Sequence, residues 1–297
     1  MPHVQDLLCY VPALLVLFIL MRIEVLLAHD VASRQLEIFH PEKRLEYRLL
    51  AAIYIAHWLI DGAAATVTVL IVNALGGGII HLSDQGWWYV PSFVFYLVIF
   101  DFYTYLVHRA SHKIPFLWSM HSLHHSATAM SVTTGGRHFW LETVVGAVLF
   151  APFLGLFLHV PADVAFPVVM LNFFTGAVVH FDVPIRLGKL GLWVNNPQWH
   201  RIHHSQLPEH RDKNFANFFP IFDLICGTAW IPDPHEFPDA GLDDGDKPCS
   251  VFEGMIWPLR HMWRGWRSRR PDLAETDAAS RSPISVEKIS VLEAAPR

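Results

Sequence analysis

The sequence predicts an all-α fold, an integral membrane helical bundle of four or five membrane segments. Of 297 residues, 53% are hydrophobic and 16% charged, a composition too apolar for an ordinary soluble domain. The apolar residues are gathered in runs long enough to cross a bilayer as helices. The chain also contains 19 histidines, more than its 17 glycines. The first two observations predict the bundle, and the third requires a chemical explanation.

Charge and cysteine content exclude several classes of protein. The net charge is −5 and the basic residues form no single cluster, so we expect no nucleic-acid partner. The three cysteines, Cys9, Cys226 and Cys249, are too far apart for a thiolate metal motif or a disulfide framework.

Five apolar runs are candidates for membrane segments. The first run has no signal-peptide cleavage site, and the third begins with aromatic residues typical of a membrane interface. The last two are separated by only His159, Val160 and Pro161, which predicts a tight helical hairpin that could be re-entrant. The runs cover residues 7–28, 49–75, 87–107, 139–158 and 162–179.

Basic residues near the segment ends predict the orientation. Arg34, Lys43, Arg44 and Arg48 follow the first run, whereas residues 76–86 contain no Lys or Arg. Because basic residues are enriched on the cytoplasmic side, we expect the N-terminus outside, the C-terminus in the cytoplasm and all the histidine-rich segments on the cytoplasmic side.

The rest of the chain is polar and predicts a cytoplasmic cap. We expect three parts: N-terminal membrane helices in residues 1–90, a catalytic domain in 91–240, and a cytoplasmic tail in 241–297 that is partly disordered. Within the tail, residues 251–270 alternate tryptophan and arginine, which favours an interfacial helix or a solvated basic stretch.

The histidines cluster at spacings of three and four, which on a helix bring side chains to one face. An H-x-x-H-H pattern occurs twice, against roughly 0.08 matches expected by chance at this histidine content. We predict that the clustered histidines and one isolated histidine bind metal: His108, His112, His121, His124, His125, His180, His200, His203 and His204.

Nine imidazoles exceed what one ion can use, so the count predicts two ions. Imidazole suits iron, zinc, copper and nickel, and the lack of a cysteine cluster argues against a structural zinc site. A pair of redox-active ions could activate O₂ and attack an unactivated C–H bond, whereas zinc could not.

The same motifs resemble the fatty acid hydroxylase and sterol desaturase superfamily of membrane di-iron enzymes. The likeness covers roughly residues 93–232: H-R-x-S-H after an apolar helix, L-W-x-x-H-x-x-H-H-S at 117–126, W-H-R-I-H-H-S at 199–205, and Phe222-Asp223 with Gly227-Thr228. It implies two iron ions as cofactors, with the nine histidines as their ligands.

Four further residues are expected to support the ligands. Arg137-His138 followed by Glu142 is similar to a conserved segment of that family, with Phe139 in place of proline, and a supporting or substrate-side role for His138 is favoured over direct ligation. Asp101 and Asn214 could each accept an imidazole N–H. Asp182, Asp212 and Asn217 are weaker candidates of the same kind.

These features favour an O₂-dependent lipid hydroxylase or desaturase acting on a fatty acyl, sterol or related membrane lipid in lipid biosynthesis. A sterol C5-type desaturase and an ether-lipid or aminolipid monooxygenase remain open alternatives. No dinucleotide-binding or heme-binding motif is present, so a separate electron donor protein or reductant is expected. A metal transporter would need ligands near mid-membrane, and a zinc hydrolase would need a motif such as H-E-x-x-H, which the chain lacks.

Overall fold

The computed structural model is predominantly helical, as the sequence predicts, and describes residues 11–27 and 41–268, without the side chains of 11–14, 41–42 and 264–268. The helices are α1 Val11–Leu27, α2 Pro41–Ala74, α3 Tyr89–Lys113, α4 Pro115–His125, α5 Trp140–Val145, α6 Ala151–Phe157, α7 Ala162–Val179, α8 Pro197–His203, α9 Ile221–Cys226, α10 Val251–Met255 and α11 Trp257–Ser268. Short 3₁₀ turns lie at Gly86–Trp88, Thr134–Gly136, Gly188–Leu192 and Pro208–His210.

Four helical segments of the described chain are long and apolar enough to cross a membrane: Lys43–Ala74, Gly86–Lys113, Trp140–Phe157 and Ala162–Val179. They correspond to four of the predicted runs. The remaining run, residues 7–28, contains α1. Residues 7–10 and Ala28 of that run lie outside the described residues. The four segments make the chain an integral membrane protein.

The second membrane helix begins earlier than its apolar run. α2 starts at Pro41, so Lys43, Arg44 and Arg48, which precede the predicted run 49–75, lie on the helix. Lys43 is fully buried, and its ammonium donates to Glu46 at 3.0 Å and to the Ala129 carbonyl and Ser131 hydroxyl at 2.7 Å. A buried, paired lysine is not a free interfacial charge, so the orientation rests on fewer residues than the sequence suggested.

The predicted helical hairpin is present with two additions. Gly146–Phe150 forms a π-helical turn between α5 and α6, just before Pro152, which has no amide hydrogen for a regular helical bond. After α6 a two-residue strand, Leu158–His159, pairs in parallel with Ile80–His81. No periodicity in the sequence predicts this pairing, which joins the segments that follow α2 and α6.

The helices alternate in direction, so the ends of α3 and α7 and the start of α2 lie together. Glu24 near the end of α1 accepts hydrogen bonds from the amides of Val132 and Asp182, which ties this helix to the same end. The cap formed by α4, α8, α9 and their loops covers that end.

The chain divides into two compact units, Met1–Trp257 and Pro258–Arg297. The first contains every candidate site residue. Of the second, the structure describes the remaining turns of α11, so the predicted helix over 251–270 is two helices, α10 and α11, separated at Ile256. Disorder is predicted for the last part of the tail, residues 271–297, which the structure does not describe. The three-part division of the chain stays a prediction.

Candidate metal centre

All nine predicted ligands meet at the cap end of the bundle, in two groups whose ligand atoms lie within 4.8 Å of one another. The first group is His108, His112, His121, His125 and His203. The second is His124, His180, His200 and His204. His180, which no local motif supported, therefore lies with the other histidines, as the predicted topology required.

Local sequence explains how the helices present these side chains. α3 carries His108 and His112 one turn apart near its end, and Pro115 starts α4 directly afterwards, where proline costs no hydrogen bond. His180 lies at the end of α7. α8 begins at the Asn196 side chain, which accepts from the Trp199 amide at 3.1 Å.

Backbone carbonyls fix which ring nitrogen of three histidines faces inward. Nδ1 lies 2.8 Å from the Phe215 carbonyl in His108 and 2.8 Å from the Lys213 carbonyl in His203, and in His180 it contacts the Gly176 carbonyl. A carbonyl only accepts, so each Nδ1 carries the hydrogen and each Nε2 presents a lone pair.

The Nε2 atoms of several ligands lie close to one another. Nε2 of His180 lies 3.1 Å from that of His200 and 3.2 Å from those of His124 and His204. In the first group, Nε2 of His112 lies 3.1 Å from that of His125. Two imidazoles bound to one ion at about 2.1 Å would place their nitrogens about 3.0 to 3.4 Å apart. The spacing therefore fits a shared cation.

Several buried ring nitrogens that lack a hydrogen-bond partner among the described residues also indicate a bound cation. Nε2 of His108, His121 and His203 is buried and has no hydrogen-bond partner among the described residues. An unsatisfied buried polar atom is costly, and binding a cation removes that cost. The donor set, all imidazole, suits a transition metal.

Burial also keeps the imidazoles neutral. It lowers the pKa of His124, His125, His200 and His204 well below the usual range, and neighbouring imidazoles lower it further. The pKa of His180 and of His203 falls to about 3, mainly through burial, although a backbone hydrogen bond opposes the shift in each. At neutral pH these lone pairs are therefore available to metal.

Glu142 connects a third, smaller group. Its Oε2 lies 3.0 Å from Nδ1 of His138 and 3.3 Å from Nδ1 of His121. The His138 ring stacks on His124 with centroids 4.3 Å apart. His121, His138 and Glu142 could themselves hold an ion. The sequence expectation that His138 and Glu142 lie beside the ligands agrees with this placement.

Asp101 does not contact an imidazole, so the expected direct bond is wrong. Its two carboxylate oxygens accept from the backbone amides of Phe218 and Phe219, at 3.0 and 2.8 Å. Asp101 precedes His108 by two helical turns, about 10 Å along the axis, which is too far for direct contact.

Asn214 also acts through the backbone, so its expected bond to an imidazole is wrong. Its amide donates to the carbonyls of Trp199 and Trp230, and its oxygen accepts from the Trp230 amide. These bonds hold Asn214 at φ 57°, between the two carbonyls that accept from His203 and His108. Asn214 therefore supports the ligands by fixing the loop.

The weaker candidates are also placed. Asp182 pairs with Arg201 at 2.7 Å, and the Asn217 amide donates to the Asn172 carbonyl at 3.0 Å. Asp212 pairs with Lys113 and lies 3.6 Å from Nδ1 of His112, too far for a hydrogen bond.

Asp223 is a supporting residue that the sequence analysis quoted in a motif without giving it a role. Its carboxylate is fully buried and accepts from the amides of Phe215 and Ala216, at 2.8 and 2.9 Å, and from the Thr228 hydroxyl at 2.7 Å. The Ala216 amide belongs to the same peptide unit as the Phe215 carbonyl that accepts from His108, so Asp223 holds that peptide in place. The acceptor carbonyls themselves carry no signal in sequence, because every residue has one.

Two cavities with different lining residues reach the histidines. A cavity of about 440 Å³ extends between α3 and α7 and touches five of them, His108, His121, His124, His180 and His200. A second, of about 320 Å³, lies under the cap and touches His112, His125 and His203. We call these the membrane-side cavity and the cap-side cavity.

Residues 93–228 match the model of the fatty acid hydroxylase family. The resemblance predicted from the histidine motifs is thereby confirmed: the chain carries a fatty acid hydroxylase domain, which includes all nine candidate ligands.

Among curated proteins, the chain is 31% identical over 162 residues to the ornithine lipid hydroxylase OlsE of Rhizobium tropici, covering 54% of this chain and 49% of that protein. It is 30% identical over 166 residues to the alkylglycerol monooxygenase of Homo sapiens, covering 56% of this chain and 36% of that protein. The Caenorhabditis elegans alkylglycerol monooxygenase is 30% identical over 202 residues, 68% of this chain and 38% of that protein. The alignments thus span less than half of each relative. No solved structure matches the chain.

Proposed function

We propose that the protein is an O₂-dependent lipid monooxygenase of the membrane, which uses two iron ions and hydroxylates its substrate. The observation that carries the proposal is the pair of imidazole groups, five and four histidines, at the end of a membrane bundle and open to a cavity between its helices. The names of the relatives, a lipid hydroxylase and a monooxygenase, favour insertion of oxygen over desaturation.

The five- and four-histidine groups would each hold one ion. Iron bound there would supply the redox chemistry that activates O₂ toward a C–H bond. The protein supplies the rest: Phe215 and Lys213 carbonyls orient His108 and His203, and Glu142 orients His121. The surrounding cap excludes most water from these side chains.

Substrate would enter the membrane-side cavity from the bilayer. Val169 and Phe173 of α7 line it beside the histidines, so an alkyl portion of a lipid can lie against the helix with one carbon near the metal groups. Electrons would come from a separate donor. We place the active site on the cytoplasmic side, following the basic residues near the ends of the first membrane segments.

A histidine-rich transporter fits less well. His108 and His112 lie in the last turns of α3, and the cap encloses the ligands, whereas transport sites lie near the bilayer midplane.

Turnover under ¹⁸O₂ tests the proposal. Membranes containing the protein are supplied with a reductant and lipid extract, and products are read by mass spectrometry. We expect label in a lipid hydroxyl or its breakdown product. His204→Ala should lose turnover and metal yet remain inserted, because the helices depend on apolar packing. His159→Ala, an exposed histidine at the other end of the bundle, is the matched control.

Two results would contradict the proposal. One is wild-type turnover in His204→Ala, and the other is product formation without O₂. O₂ consumption without label in the lipid would indicate a desaturase instead. Elemental analysis provides a separate check, with about two iron ions per chain expected and fewer after His124→Ala or His203→Ala.

A further inference from the structure

Two polar side chains on membrane-spanning helices face the membrane-side cavity and have no hydrogen-bond partner in the part of the chain that the structure describes. Tyr103 of α3 and Asn172 of α7 both line it. Among the described residues, neither the Tyr103 hydroxyl nor the Asn172 side-chain amide makes a hydrogen bond; Asn172 contributes only its backbone carbonyl, to Asn217. Polar groups inside a membrane segment are costly unless they bind something, so a partner of complementary chemistry is expected.

Their position relative to the metal groups is set by helix geometry. Asn172, Gly176 and His180 are spaced by four residues, so they share one face of α7, and Asn172 lies about 12 Å along the axis from His180. Tyr103 precedes His108 by five residues, about 7.5 Å along α3. Both polar groups therefore lie one to two helical turns from the histidines.

The space between is open and partly polar. Gly176 has no side chain to block the face between Asn172 and His180, and it lines the same cavity. Thr104, Ser111 and Asn217 add further hydroxyl and amide groups to the lining. The Thr104 and Ser111 hydroxyls donate to carbonyls of their own helix, and the Asn217 amide donates to the Asn172 carbonyl, so these groups make the lining polar but already have protein partners.

We propose that Tyr103 and Asn172 bind a hydrogen-bonding group of the lipid substrate, an ether, ester, amide or hydroxyl, close to the carbon that is oxidised. The distances place that carbon within about 12 Å of the polar group. The substrate is then a lipid that carries a hydrogen-bonding group within about 12 Å of the carbon that is oxidised, and a plain hydrocarbon would not bind in its place. This inference rests on the proposed function and specifies its substrate class.

Equilibrium binding without reductant tests the inference apart from turnover. Tritiated hexadecylglycerol is bound to the metal-loaded protein in phosphatidylcholine nanodiscs and displaced by unlabelled hexadecanol or hexadecane. These competitors share the alkyl chain and differ in one hydroxyl. We expect hexadecanol to compete and hexadecane not to compete.

Tyr103→Phe and Asn172→Leu should each weaken hexadecylglycerol binding about 2- to 10-fold, the loss of one hydrogen bond. Tyr89→Phe, on the same helix but outside the cavity lining, and Asn73→Leu, at an exposed position of α2, should bind as wild type does. Thermal melting of each variant separates lost binding from lost folding, and Tyr103→Phe carries the test if Asn172→Leu does not insert.

Wild-type binding by a folded Tyr103→Phe protein, or equal displacement by hexadecane, would overturn the inference. A protein that shows the expected binding pattern but never oxidises lipid would overturn the proposed function, and only the binding of the lipid's polar group by Tyr103 and Asn172 would stand.

Discussion

Replacing Asp223 by asparagine should loosen the support of His108 from a distance. The carboxylate accepts three hydrogen bonds, with Oδ1 facing the Phe215 amide and Thr228 hydroxyl and Oδ2 facing the Ala216 amide. Asparagine keeps one oxygen. If that oxygen faces the first two donors, the NH₂ group of the asparagine faces the Ala216 N–H. These two donor groups are then buried without an acceptor.

Each buried unsatisfied group costs about 1–3 kcal/mol, so Asp223→Asn should destabilise the protein by about 2–6 kcal/mol. The displaced Phe215 carbonyl should also hold His108 less well. Loss of such outer partners weakens metal binding about 10- to 100-fold, and we expect the lower end because the carbonyl is shifted and not removed.

Two measurements check this prediction on purified protein in nanodiscs: the melting temperature, and the iron retained after incubation with a graded series of chelator concentrations. Asp233→Asn is the control, since it makes the same change at an exposed carboxylate. A normal melting temperature and normal iron retention in Asp223→Asn would refute the argument that the hydrogen bonds of Asp223 hold the Phe215 carbonyl and, through it, His108 in position.

Two further predictions concern the packing around His180 and the protonation of two buried histidines, His180 and His203. A Cβ at Gly135 would lie 2.9 Å from the Gly176 carbonyl and 3.3 Å from Nδ1 of His180, whereas one at Gly176 would meet only Asn217 at 3.7 Å. Gly135→Ala should therefore lower the melting temperature and iron content, and Gly176→Ala, a change to a better helix former without a clash, should lower neither; equal behaviour of the two would contradict the packing argument. Metal-free protein should lose stability as the pH falls from about 6.5 toward 3, because the unfolded chain binds protons that buried His180 and His203, each with a pKa of about 3, do not. Each histidine should contribute about 1.4 kcal/mol per pH unit, and a melting temperature that stays constant between pH 7 and 5 would be inconsistent with their burial.

The histidine motifs predicted the site because helical spacing is a local property. His121, His124 and His125 share a short helix, so their convergence follows from sequence spacing alone. His180 needed the membrane topology as well, since only the alternation of helices brings the end of α7 to the cap. The apolar runs also predicted the four membrane segments, because the length and composition of a segment are local properties of the sequence.

The supporting contacts could not be predicted, because they depend on backbone positions set by the tertiary fold. Asp101 and Asn214 have the right chemistry to bind imidazole, yet both bind backbone groups of the cap. The start of α2, eight residues before the predicted run, could not be predicted, because the partners that let Lys43 be buried, Glu46 and Ser131, are brought to it by the fold. The Ile80–His81 strand is too short to leave a periodic signal.

The two cavities have no lining residue in common. A lipid held between α3 and α7 would leave the cap-side cavity free, so a second molecule could reach His112, His125 and His203 while the first remains bound. Under the proposed function, kinetics should then follow a sequential mechanism with a ternary complex. A compound that blocks the cap-side cavity should lower the maximal rate and leave the apparent lipid affinity unchanged.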